Sequence, residues 1–128
     1  MDNQKFFKCE HCGNLVGLIN NAGVPMICCG EPMKELIPNT VDAAQEKHLP
    51  VVTVDGDMVT VKVGSVPHPM TEEHHIEFIY LQTEQGGQRR CLQTGTEASA
   101  TFNLAGDTLL EVFAYCNLHG LWKVAVTH

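Results

Sequence analysis

The chain has 128 residues, 44% of them hydrophobic and 18% charged, the composition of a globular protein with one ordinary domain, or one domain plus a small appendage. Its formal net charge of −7 argues against wholesale attraction to nucleic acid or an anionic membrane. No stretch reaches the roughly 18 apolar residues of a membrane span, and Met1 to Lys8 contain no apolar signal core, so a cytoplasmic location without nucleic-acid or membrane partners is expected.

The first segment, residues 1–37, is cysteine-rich and punctuated by Gly13, Gly17, Gly23, Pro25, Gly30 and Pro32, a pattern of tight hairpins and knuckles. A piece of this size cannot bury enough apolar surface to be stable alone and needs a metal or an oligomer partner. Cys9-Glu10-His11-Cys12-Gly13 puts two thiolates on one turn, and Cys28-Cys29-Gly30 supplies two more. Adjacent cysteines are poor disulfide partners for each other, and their side chains must splay, so a somewhat distorted tetrahedral site for zinc or iron is the better reading. Spacing does not separate the two metals, and a structural zinc knuckle is the plain alternative. His11, held between two cysteines, is expected to be a solvated bystander.

A boundary is expected near Ile37-Pro38-Asn39-Thr40, followed by a linker or helical turn over residues 41–48. Beyond it the pattern is β. Val51–Val54 and Met58–Val63 flank Asp55-Gly56, a hairpin signal. Ile76–Leu81 runs toward Gly86-Gly87, Ser99–Leu104 stops at Gly106-Asp107, and Leu109–Tyr115 and Leu121–Val126 complete the set. Short strands with turns between them predict an all-β chain whose larger part is an antiparallel sandwich or barrel.

Histidines concentrate in this second part. His68 lies between Pro67 and Pro69 in stiff, extended backbone, which makes it a good preformed ligand. Strand alternation should send His74 and His75 to opposite sides, with His74 sharing the face of Ile76, Phe78 and Tyr80. Cys116 falls on an apolar parity, where a thiol is ordinarily an inert core group. His119, three residues on and followed by Gly120, turns that position into a candidate chelate.

The blocks Cys9-x-x-Cys12-Gly13, Cys28-Cys29-Gly30-x-Pro32-Met33, Glu46-Lys47-His48-x-Pro50, Gly64 to Met70, His74 and Cys116 to Trp122 resemble, in order, those of desulfoferrodoxin, the two-iron class of superoxide reductase. The resemblance spans nearly the whole chain. It implies a desulforedoxin-like module over 1–37 with iron on Cys9, Cys12, Cys28 and Cys29. Over 38–128 it implies an immunoglobulin-like antiparallel β-sandwich whose iron takes His48, His68, His74 and His119 equatorially and Cys116 axially. The implied activity is one-electron reduction of superoxide to hydrogen peroxide, with a rubredoxin-like electron donor and a homodimeric state. It also gives Glu46 the task of occupying the vacant iron position after oxidation.

Because the chain as a whole repels an anionic substrate, Lys47 beside His48 is the expected local attractor. Two departures from the family pattern stand out: Cys91 is extra, with a buried inert thiol as its expected state, and His75 replaces a more usual aromatic. The competing readings are a metal-stapled interaction module and a pure electron carrier using only the four-cysteine centre.

Overall fold

The computed structural model describes residues 3–126 and divides into two compact units, Met1–Ile37 and Pro38–His128. In the first, β1 (Lys5–Lys8) is the centre of a small antiparallel sheet, flanked by β2 (Leu15–Leu18) and β5 (Lys34–Glu35), while β3 (Ile27–Cys28) and β4 (Glu31–Pro32) form a separate two-stranded ribbon. Only Phe6 and Cys9 are buried among the described residues of this unit. The β3–β4 turn is Cys29-Gly30, with φ of +53° and +78°. Two successive positive φ values are the mark of a type I′ hairpin, and this turn is what separates the side chains of the adjacent cysteines.

The second unit opens with a one-turn helix, α1 (Gln45–His48), and continues as a seven-stranded sandwich. One sheet has the order β10-β7-β6, from β6 (Pro50–Asp55), β7 (Met58–Val63) and β10 (Ser99–Asn103). The other has the order β12-β11-β8-β9, from β8 (Ile76–Thr83), β9 (Gly86–Cys91), β11 (Leu109–Cys116) and β12 (Gly120–Ala125). Every pairing is antiparallel. Val59, Val61 and Val63 of β7 and Ala100 and Phe102 of β10 meet Ile79 and Leu81 of β8 and Val112 and Ala114 of β11 in the core. Among the described residues no helix is long and apolar enough to cross a membrane.

Three local expectations change. β9 was not anticipated, because Gly86-Gly87-Gln88-Arg89-Arg90-Cys91 has little β propensity. It is an edge strand that pairs, among the described residues, with β8 alone, and Gly87 is required there because a Cβ would collide with the Tyr80 ring. For the same reason Cys91 is exposed rather than a buried thiol, with the Arg89 guanidinium donating to its sulfur at 2.8 Å. Strand parity also breaks at Glu77. Tyr115 faces Phe78 while Cys116 faces Ile76, so one residue of β8 is bulged out. Ile76 therefore joins the core, whereas Phe78 stacks on Tyr115 and Tyr80 meets Phe113 edge-on. His74 and His75 precede the strand, and their divergence comes from turn geometry.

Candidate metal centres

In the first unit the sulfurs of Cys9, Cys12, Cys28 and Cys29 all lie within 4.8 Å of one another. The Cys12 and Cys28 sulfurs are 3.7 Å apart, close to the edge of about 3.8 Å that a tetrahedron with metal–sulfur bonds near 2.3 Å would have. The knuckle is built by backbone bonds. Gly13 N–H donates to Cys9 O at 2.9 Å and Cys9 N–H to Asn14 O at 2.8 Å, while Cys12 N–H and Asn14 N–H point at the sulfurs of Cys9 and Cys12, each at 3.5 Å. Main-chain donors, that of Cys12 foremost, bring the Cys9 thiol down to about 6. Cys29 is pushed up to about 12, chiefly because its thiol bonds to Cys9 and Cys12. Four sulfurs this close cannot all ionise unless a cation compensates them, so the donor set fits a metal. His11 turns away to Glu31, 2.9 Å from its carboxylate.

The second centre lies at one end of the sandwich core. His48 ends α1, His68 sits in the loop after β7, His74 precedes β8, and Cys116 and His119 bracket the β11–β12 turn. Donor atoms of His48, His68, His74 and Cys116 lie within 4.8 Å of one another. His119 completes the group, its Nδ1 3.0 Å from His48 Nε2 and 4.0 Å from the Cys116 sulfur.

The four imidazoles stand in a near-square. Going round it, the ring centroids of His48–His68, His68–His74, His74–His119 and His119–His48 are 4.7, 4.6, 5.0 and 4.8 Å apart, and the His48–His74 diagonal is 6.3 Å. Neighbouring rings are nearly perpendicular, at 76° to 87°.

Which nitrogens face inward follows from hydrogen bonding. A carbonyl can only accept, so His48 Nδ1–H donates to Ala44 O and His68 Nδ1–H to Pro69 O, both at 2.7 Å. In the neutral imidazoles, both Nε2 atoms then carry lone pairs, and these face each other at 3.2 Å with no proton between them. His74 Nε2 is buried and has no hydrogen-bond partner among the described residues. Converging lone pairs and an orphaned buried nitrogen are costly unless a cation sits among them. The carbonyl partners on the outer nitrogens are the arrangement that orients metal-binding histidines.

Burial reinforces the fit. Desolvation lowers His48 and His74 and holds His68 at about 4, so all three are neutral ligands near pH 7. It raises the Cys116 thiol, whose proton a metal must displace. Trp122 stacks on His48 at 4.9 Å and donates its indole N–H to His119 O at 3.1 Å. The stacking is not legible in the sequence because it joins residues far apart along the chain, whereas the carbonyls of Ala44 and Pro69 are local partners that only the backbone conformation discloses. Glu46 and Lys47 are exposed on α1, and neither joins the grouped donor atoms. The Lys47 charge nonetheless reaches the site, contributing to the lowering of both His48 and His74. His75 faces elsewhere, with Nδ1 on Thr71 O at 2.9 Å and Nε2 3.8 Å from Glu77.

Comparison with known proteins agrees along the chain. The desulfoferrodoxin family model matches residues 40–125, and that of the desulfoferrodoxin N-terminal domain matches residues 2–36. A desulfoferrodoxin of Syntrophotalea carbinolica is 47% identical over 117 residues, 91% of this chain and 92% of the relative. The crystal structure of the superoxide reductase from Treponema pallidum superposes with a TM-score of 0.81 at 43% identity, covering 96% of this chain and 99% of that one. The superoxide reductase (1Fe-SOR) from Giardia intestinalis covers 65% of this chain and 99% of its own length, with a TM-score of 0.54 and 32% identity.

Proposed function

Because the chain belongs to the desulfoferrodoxin family, we propose that it is a superoxide reductase, converting superoxide to hydrogen peroxide by one-electron reduction. In this reading residues 38–128 form the catalytic sandwich, and His48, His68, His74, His119 and Cys116 would hold its iron. Residues 1–37 form the desulforedoxin-like module, with a second iron on Cys9, Cys12, Cys28 and Cys29.

The observation that carries the proposal is the square of four imidazoles, with the lone pairs of His48 and His68 turned inward, and one buried thiol beside it. Ferrous iron held by that set would supply a single electron, and the Cys116 thiolate would raise the electron density available for it. Structural zinc takes four ligands in a tetrahedron and has no use for four histidines and a thiolate.

The protein's own groups do the rest. Lys47, exposed on α1 next to His48, draws an anion toward a chain whose net charge is −7. Glu46, its neighbour, is the carboxylate that would bind the oxidised iron; Glu46→Ala should alter the ferric visible band. Ala44 O and Pro69 O hold the His48 and His68 rings in register. A rubredoxin-like external donor returns the electron. Ile19, Val24 and Ile27, which are 94%, 75% and 62% exposed in the first unit, favour a homodimer. Six unpaired cysteines suit the reducing cytoplasm.

Metal analysis combined with superoxide consumption tests the whole. The iron-loaded chain, with reductant, should consume superoxide and form one peroxide per superoxide without evolving dioxygen. Dioxygen release at dismutation stoichiometry, or full activity in a colourless zinc-loaded chain, would overturn the proposal.

A further inference from the structure

His48 and His68 are aimed by their own rings, each through Nδ1–H to a carbonyl. For His74 the hydrogen bonds fall on the main chain around it. Thr71 Oγ1 accepts from His74 N–H at 3.1 Å and donates to His74 O at 3.2 Å, and Thr71 N–H donates to His74 O at 3.0 Å. This local loop is then fastened across the fold by one residue of the β11–β12 turn. Asn117 Oδ1 accepts from His75 N–H at 2.8 Å, Asn117 Nδ2–H donates to Glu73 O at 3.0 Å, and Asn117 N–H donates to His75 O at 3.1 Å. The residues bonded flank His74 on both sides.

Asn117 is also the covalent neighbour of Cys116 and lies two residues before His119. A single amide therefore ties the His74 segment to the turn that carries two other donors. Only a side chain with an acceptor and a donor on one short stem can make both contacts, which is why asparagine suits the position. The parity break at Glu77 explains why such a tie is needed. The regular β8–β11 ladder ends in a bulge just where His74 must be placed, so strand pairing alone does not set its distance from Cys116.

We infer that Asn117 is a positioning residue for the second metal centre, holding His74 at ligand distance through the backbone of Glu73 and His75. This rests on the proposed role of His74 as a ligand. Altering groups that orient metal ligands typically costs about 10- to 100-fold in metal affinity.

The test is chelator competition for the second iron in the full chain, with amide-exchange protection of the sandwich's core strands as the control for folding. Asn117→Ala should release that iron at least about 10-fold more readily and shift its ferric thiolate band. Asn117→Asp keeps the acceptor for His75 N–H and should lose less. Thr71→Val, acting on the other side of the loop, should reproduce the direction of the alanine change if Asn117→Ala does not fold. Combined with His74→Ala, Asn117→Ala should add nothing, because a residue acting through His74 has no lever once that ring is gone. Native affinity and an unchanged band in both Asn117→Ala and Thr71→Val would overturn the inference, as would full additivity with His74→Ala. If His74→Ala itself leaves iron affinity unchanged, the ligand assignment fails instead.

Discussion

The two candidate metal sites differ in what holds their ligands apart before a metal arrives. In the first unit only Phe6 and Cys9 are buried among the described residues, and the four sulfurs are themselves the middle of the structure. In the second, Val59, Val61, Ile76, Ile79, Leu81 and Val112 are fully buried, and the donors sit at the end of that core with His48 and His68 already aimed by carbonyls. One site builds its fold; the other is built by its fold. The consequence is that metal binding and folding are the same event for residues 3–37 and separable events for residues 38–126.

The strongest way to break this contrast is to remove the metals. Chelation under reducing conditions should abolish amide-exchange protection throughout residues 3–36 and leave the core strands of the sandwich protected; Cys9→Ser should do the same to the first unit alone. Equal loss or equal retention in both units would erase the distinction. Next in size, Phe102→Ala, which hollows the sandwich core, should lower that unit's stability by about 3–5 kcal/mol. The same variant should leave the absorption of the four-cysteine centre unchanged, as denaturant titration followed by both probes would report.

A third prediction concerns the metal-free sandwich. Burial holds folded His68 at about 4 against an ordinary 6.5, so in that interval the unfolded chain binds a proton that the folded chain does not. Stability should therefore be intact above pH 6.5 and decline as pH falls toward 4, by roughly 3 kcal/mol at most. Denaturation midpoints across that range should show a steeper fall in the native chain than in His68→Gln. Parallel profiles would mean that the His68 environment is not desolvating. The smallest effect belongs to the rim. Lys47→Ala should slow superoxide encounter about 10-fold at low salt, and added salt should narrow the gap; identical stopped-flow rates would remove Lys47 from the substrate's path.

Much of this was legible along the chain because the relevant signals are local. Cys-x-x-Cys before Gly13, the Cys28-Cys29-Gly30 turn, Asp55-Gly56 between alternating strands, and Cys-x-x-His before Gly120 each state their geometry within a few residues. β9 was not legible, since Gly86-Gly87 reads as a terminator until Tyr80 is seen to need that space. Nor was the exposure of Cys91, which follows from that strand lying at a sheet edge. The bulge at Glu77 reversed the face assigned to Phe78 and Tyr80, because a parity count cannot register one residue dropping out of a ladder.

By itself, then, the order of residues determined the chemistry available: which segments carry soft sulfur donors, which carry imidazoles, and that strands would bring the latter from far apart. Only the tertiary structure decided how those donors face one another. The Ala44 and Pro69 carbonyls that accept from His48 and His68 lie close by in sequence, but the ties made by Asn117, the stacking of Trp122 and the burial that keeps the imidazoles neutral all depend on contacts between residues distant in sequence. Ligand identity is a property of a side chain, whereas ligand direction and protonation are set by what packs against it.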